Sequence, residues 1–317
     1  MNPLVSIVCL CYNHKSFVRQ AVESVINQSY RHLQIIIADD ASHDGSIEEI
    51  QNLKAAYPFV QLLLLAENKG NCAAFNAAFK LVKGDFVIDF ATDDVMMPDR
   101  IEKQVQLFAD LDRSVGVVFT DAIYINEKGD FLRNHFEYLL GKKLIRTIPQ
   151  GDVYRDLLST YFIPGPTMMV RREVFVALGG YDEGLTYEDF DFWVRSSRNF
   201  RYAFLNERLT YIRKSKLSMS AGWYVPGDQQ LHSTYLVCRK AQLLNRDEND
   251  QRALIKRVRY EFRQSVLSEN YSEASEFFSM LEELNGVHII DLLLSFANRN
   301  RIQLSMLRKL YHGVRFS

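Results

Sequence analysis

Lysine and arginine almost balance aspartate and glutamate, 38 against 39 in 317 residues, so the chain lacks the positive surplus that would point to nucleic acid. Cysteine is scarce. The four present, Cys9, Cys11, Cys72 and Cys238, show no CxxC spacing, and Cys9 and Cys11 alternate in an expected strand where small apolar residues simply pack. They read as reduced thiols of a cytoplasmic protein. No apolar run reaches the roughly 18 residues that a membrane span needs. The opening MNPLVSIVCLCYN has no basic leader and meets Asn13 too early for a signal peptide, and VHIIDLLLSFA (287–297) is broken by Asp291. Internal repeats and low-complexity tracts are also missing. What remains, 47% apolar and 24% charged residues, is the make-up of a soluble globular protein with room for one large α/β domain and a smaller appendage.

The first hundred residues alternate two periods. VSIVCLC (5–11), LQIIIAD (33–39), VQLLLLA (60–66) and DFVIDFA (85–91) read as buried strands. Between them, Phe17, Ala21, Val25 and Gln28 recur at helical spacing, Ser46 and Glu49 have capping-box spacing, and CAAFNAAFKLV (72–82) reads as a third helix. Strands joined by helices predict a mainly parallel sheet covered on both faces, which binds ligands beyond the carboxyl ends of its strands. Beyond residue 110, VGVVFTDAIYI (115–125) and the NEKGD turn predict a hairpin. Helices are predicted at DVYRDLLSTYF, at REVFVAL before Gly179-Gly180, and at EDFDFWVRSSR (188–198). From about residue 230 the sequence reads as helical, and GWYVPGDQQ predicts a boundary between a catalytic region, 1–222, and a helical region, 223–317.

Polar residues follow every early strand: Asn13, then Asp39-Asp40, then Asn68-Lys69, then Asp93-Asp94. All should reach one edge of the sheet. Adjacent carboxylates repel, and one tends to hold its proton unless a cation offsets them. Hard oxygen ligands suit Mg²⁺ or Mn²⁺, ions that take one or two carboxylates and complete their shell with water and phosphate. A diphosphate substrate is the natural third component. The plainer reading also stands here, because Pro98 looks like a first helical turn and acids gather near helix starts.

In order and spacing, PLVSIVCLCYN, SVINQSY, IIIADDASHDGS, ENKGNCAAFNAAFKLVKGDFVIDFATDD, MPDR and EDFDFWVR resemble the inverting family 2 glycosyltransferases of the GT-A fold, over roughly residues 3–220. The resemblance implies a Rossmann-like half that binds a nucleotide-sugar, usually a UDP- or dTDP-sugar, and a second half that binds the acceptor. By the same resemblance Asp40 contacts the nucleotide base, Asp93 lies near the ribose and Asp94 binds Mn²⁺ or Mg²⁺. Asp189 is then the general base, with Glu188 the second choice. Tyr12 and Asn13 line the nucleotide pocket. An expected saccharide or lipid-linked saccharide acceptor meets the segment YFIPGPTMMVRR (161–172), where Thr167 faces either sugar or a packed loop; Trp193 and Trp223 are aromatic candidates for sugar stacking, with burial the default for Trp193.

Three positions depart from the family pattern. Ala91 stands where relatives place a first carboxylate, Phe75 where many carry an arginine, and Ser215 where a histidine is common. Lys69 is the expected substitute cation for the missing arginine, and Arg213, Lys214 or Lys216 for the diphosphate. Two other readings stay open at this stage: a sugar-phosphate nucleotidyltransferase, disfavoured because CYNHKSF replaces a glycine-rich phosphate loop, and a nucleotide-sugar-binding subunit without turnover. For the helical region the readings are a subdomain packed on the catalytic part, self-association, or peripheral membrane contact through RIQLSMLRKLYHGVRF with its Arg301, Arg308, Lys309 and Arg315.

Overall fold

The computed structural model describes residues 2–215 and 224–304. Four strands, β1 (Val5–Cys11), β2 (Leu33–Asp39), β3 (Gln61–Leu64) and β4 (Phe86–Ala91), are parallel and lie in the order β3-β2-β1-β4. Their apolar runs are continuous because both faces are covered. Val8 and Leu10 enter one core layer, Ile7 and Cys9 the opposite one. The helices α1 (Val18–Ile26), α2 (Ser46–Ala56) and α3 (Asn71–Phe79) supply the crossovers.

Beyond β4 the sheet becomes mixed. β5 (Val95–Met96) and α4 (Arg100–Asp110) follow the Asp93-Asp94 turn, and β6 (Val115–Asn126) forms the expected hairpin with β7 (Phe131–Asn134). After α5 (His135–Gly141) and α6 (Tyr154–Ser159), the segment containing Pro164-Gly165-Pro166 makes one 3-10 turn and enters β8 (Met169–Arg171), which runs antiparallel between β4 and β6. α7 (Arg172–Leu178) ends at Gly179, in the left-handed region at φ 72°. α8 (Asp189–Ser196) leads to β9 (Arg201–Lys214), which pairs in parallel with β6 and carries β5 on its other edge.

Two local expectations change. Ser46 is the first helical residue and not the cap; Gly45 occupies that position at φ 96°, while Ser46 N–H and Oγ both donate to Asp44 Oδ1 (2.9 and 2.5 Å). Pro98 precedes α4 in a turn, and Asp99 is the residue before the helix.

The expected boundary near residue 222 lies outside the described residues. After it come α9 (Gln229–Leu244), α10 (Glu248–Leu267), α11 (Tyr271–Glu283) and α12 (Ile289–Arg299). These helices share one apolar core with α6 and α8, in which Tyr154, Leu158, Phe190 and Val194 meet Val237, Leu254, Val258 and Phe277. Buried ion pairs fasten the junction. Asp250 accepts from Arg155 Nε (2.6 Å) and Arg198 Nη1 (2.7 Å), and Asp191 accepts from Lys240 (2.6 Å). Residues 301–304 are not helical, and the remainder of the expected last helix, with Arg308, Lys309 and Arg315, lies outside the described residues.

Candidate active site

The polar residues that end β1 to β4 do gather at one sheet edge. Asn13 takes the left-handed region (φ 58°), which asparagine tolerates, and its Oδ1 accepts the His43 N–H at 3.0 Å. Asn13 N–H donates to Ser42 Oγ (2.8 Å), and that hydroxyl donates to buried Asp39 (2.6 Å). Tyr12 stays 41% exposed, edge-on to His43, so a ring face is open to a planar ligand. Asp40 is buried and accepts the N–H groups of Lys69 (2.8 Å) and Gly70 (2.9 Å). Its carboxylate thereby pins the β3–α3 loop. The Lys69 ammonium is half-exposed, 3.7 Å from Glu67.

The Asp93-Asp94 turn is held from both sides. His14 Nδ1 lies 2.9 Å from Thr92 Oγ1, which donates to Leu10 O (3.0 Å). Opposite, the backbone N–H of Arg213 donates to Asp94 Oδ1 (2.8 Å). Asp94 is only 2% exposed, and burial together with the neighbouring Asp93 charge pushes its carboxyl well above the usual range. The buried Arg100 guanidinium and Lys214 are the positive charges that oppose this. Among the described residues Arg100 pairs with no carboxylate: it donates to Gln104 Oε1, Thr210 Oγ1 and Met168 O at 3.1, 3.0 and 3.3 Å.

Arg213, expected at the diphosphate, is committed elsewhere. Its Nε donates to Asp93 O (2.9 Å), Nη1 to Asn126 O and Glu127 O (both 3.1 Å) and Nη2 to Gln20 Oε1 (3.0 Å), above the Phe17 ring at 4.5 Å. A guanidinium with four of its five donors satisfied by protein is a clamp on the turn. Arg213→Ala is expected to cost about 2 kcal/mol of stability, read as a lower thermal midpoint, because three partly buried or exposed carbonyls lose a charged donor. Lys214 is a cation coupled to the acids: its Nζ stands 5.0 Å from the Tyr124 ring centre, burial and Arg133 lower its proton affinity, and Asp94, Asp93 and Asp189 raise it.

The second acidic group begins at α8. Asp189 is half-buried, and burial, then Glu188, then Asp89, push its carboxyl well above the usual range while Lys214 opposes. Gly165 backs it so closely that a Cβ there would stand 2.5 and 2.8 Å from the two Asp189 oxygens. Glu188 is raised mainly by burial and accepts Asn71 Nδ2 at 2.6 Å. Asp89, in the middle of β4, is raised by burial and by Glu188 and accepts the Tyr181 hydroxyl at 3.0 Å. Sequence reading missed Asp89, Asn71 and Tyr181; the one signal was a charged residue inside an apolar strand run.

Other expected contacts turn out to be packing. Thr167 is fully buried, donating to Pro164 O (2.8 Å) and accepting from Thr120 N–H (3.2 Å). Trp193 is buried, with its Nε1 directed at Met168 Sδ (3.3 Å). Phe75, in place of an arginine, is buried among Phe79, Phe175 and Tyr181. Lys216 and Trp223 lie outside the described residues, and Ser215 ends the first described stretch.

Among the described residues no group of three or more His, Cys, Asp or Glu side chains forms a metal cage. Hard oxygen donors at Asp94, with Asp93 adjacent, still fit a Mg²⁺- or Mn²⁺-type ion that draws most of its ligands from phosphate and water. A cation there would offset the crowding of the buried Asp94 carboxyl by Asp93.

The sequence model of glycosyl transferase family 2 matches residues 6–179. Glycosyltransferase RP339 of Rickettsia prowazekii, uncharacterized by its name, is 29% identical over 198 residues, which are 62% of this chain and 59% of that one. A Bacillus subtilis protein named for teichuronic acid biosynthesis, TuaG, is 30% identical over 171 residues, 54% of this chain and 63% of its own. This chain therefore spans well under two thirds of some of its curated relatives. Among solved structures, Staphylococcus aureus TarS in complex with UDP superposes at TM-score 0.71 with 15% identity, over 94% of this chain and 87% of that one. The mannosyltransferase PcManGT of Pyrobaculum calidifontis, in complex with GDP-Man and Mn²⁺, superposes at 0.63 with 15% identity, over 99% and 84%. The sheet order and these likenesses are those of the GT-A fold, and with the family match covering more than half of the sequence, the chain belongs to glycosyl transferase family 2.

Proposed function

We propose that this protein is an inverting glycosyltransferase that moves a sugar from a nucleotide-diphospho-sugar, of the UDP class, to a hydroxyl of a saccharide or lipid-linked saccharide, on the cytoplasmic side, in bacterial surface polysaccharide synthesis. One observation carries the reading. Gly70 N–H donates to Asp40 at 2.9 Å and the next residue, Asn71, donates to Glu188 at 2.6 Å, so the β3–α3 loop joins the carboxyl edge of the sheet to the acidic start of α8. Tyr12, Asn13 and Asp40 hold the nucleotide, and Asp93 stands at the ribose. Asp94 holds a divalent ion, whose charge stabilises the departing diphosphate when bound. Asp189 takes the proton from the acceptor hydroxyl. The freed oxygen attacks the anomeric carbon from the face opposite the diphosphate, which inverts that centre. A base whose affinity for protons is raised by burial is suited to this transfer near neutral pH. The names of TuaG and of the nucleotide- and nucleotide-sugar-bound neighbours support the substrate classes.

The deciding experiment is a thermal-shift and transfer screen of UDP-, dTDP- and GDP-sugars with and without Mn²⁺. A cognate donor at about 100 times its Kd is expected to add roughly 2.7 kcal/mol of apparent stability. Donor hydrolysis or transfer should accompany the shift. Binding without turnover toward any saccharide would favour a non-catalytic subunit, and no shift with any nucleotide would overturn both readings.

A further inference from the structure

α12 turns most of its large apolar residues outward. Its inward face carries Leu294 and Ala297 but is anchored by polar residues: Asp291 is fully buried against Arg259 Nε and Arg263 Nη2 (both 3.0 Å), and buried Asn298 donates to Tyr271 O and Ser275 Oγ (both 3.0 Å). Its outward residues are apolar: Ile289, Leu292, Leu293 and Phe296 recur at i, i+3, i+4 and i+7 and are 76%, 52%, 67% and 65% exposed, with Ile290 beside them at 55%. An ordinary surface helix has the opposite arrangement. The helix is held by these polar anchors together with Leu294 and Ala297, and its larger apolar stripe is left facing out.

Charge and size select the occupant. From Leu292 to Ser317 the sequence holds Arg299, Arg301, Arg308, Lys309 and Arg315 and no aspartate or glutamate. The one acid on α12, Asp291, is turned inward and neutralised by two arginines. A helix of 11 residues is about 16 Å long and about 10 Å across, so its outer face falls far short of the roughly 800 Å² per partner that a stable protein pair buries. An apolar stripe followed by cations without acids matches a negatively charged bilayer surface, into which such helices sink about 5–10 Å. Among the described residues no helix is long and apolar enough to cross a membrane, so contact through this helix would be from one side. We propose that the outer face of α12 docks the protein on an anionic lipid surface.

The test is sedimentation of the full chain with vesicles of phosphatidylglycerol and phosphatidylcholine, against vesicles of phosphatidylcholine alone, at low and high salt. Partitioning onto the anionic vesicles should be at least tenfold greater and should fall with salt. The double variant Leu293→Glu with Phe296→Glu is expected to lose at least tenfold of that partitioning with an unchanged thermal midpoint, since both side chains face water. Ile289→Ser with Leu292→Ser should show the same loss without added negative charge, which separates lost apolar contact from repulsion. Equal partitioning by the unmodified chain and both double variants would overturn the proposal. So would light scattering that shows a dimer converted to monomers by these substitutions, because a second copy would then be the occupant.

Discussion

Asp189→Asn is expected to lower kcat by about 10²–10⁴-fold, the span attributed to a positioned general base, with little change in the KM for donor. The same substitution should raise the thermal midpoint at neutral pH. Both effects come from one environment: burial, Glu188 and Asp89 hold the Asp189 carboxyl above its ordinary range. Below about pH 4 the carboxyl is protonated whether the chain is folded or not, and the site costs nothing. As pH rises from there toward the raised folded value, the unfolded chain ionises first and stability is lost. At pH 7 the acid is therefore a net liability to the fold, which the neutral amide removes. The rate follows the opposite course and climbs with pH as Asp189 loses its proton, with its acid limb above the ordinary carboxylate range. Glu188→Gln is the contrast, because Asn71 can still bond the amide oxygen at position 188, and a smaller loss is expected there. A midpoint that rises without any loss of rate would remove Asp189 from the mechanism and leave only its burial.

The parts of this site that were legible in the sequence are those set by local period. β1, β2 and β4 read directly because parallel strands covered on both faces are unbroken apolar runs, and the residues that follow them must reach the carboxyl edge. Strands β5 and β8 have two and three residues, too short for any period, and β9 pairs with residues nearly ninety positions away. Side-chain fate was least legible. Arg213 lies in a basic run that looked suited to phosphate, yet the carbonyls that satisfy it come from Asp93, Asn126 and Glu127, which only tertiary folding brings near. Asp89 meets Tyr181 across 92 residues and Asn71 meets Glu188 across 117, so the acidic group behind Asp189 leaves almost no trace in any local window. α12 shows the converse: its spacing was visible as an apolar stretch, but the sequence does not reveal that Asp291 points inward to two arginines of α10.

Asp94→Asn is expected to reduce transfer by about 10³-fold at fixed Mn²⁺, roughly 4 kcal/mol of lost charge stabilisation, and to raise the metal concentration needed for half-maximal rate. The substitution is chosen for what it keeps. Asparagine retains an oxygen that can accept the Arg213 N–H now bonded to Asp94 Oδ1 at 2.8 Å, so the turn stays clamped while the negative charge is gone. Chelation of the unmodified protein should cause a loss of similar size, and chelation of the variant should add little, because two perturbations of one interaction are not additive. If chelation left the unmodified rate intact while Asp94→Asn abolished it, the Asp94 charge would act directly and not through an ion. Asp93→Asn separates the neighbouring carboxylate. With Asp93 in its proposed place at the ribose, the substitution should raise the KM for donor and leave the metal requirement where it was, so the two adjacent acids at the end of β4 would divide their work between nucleotide and cation.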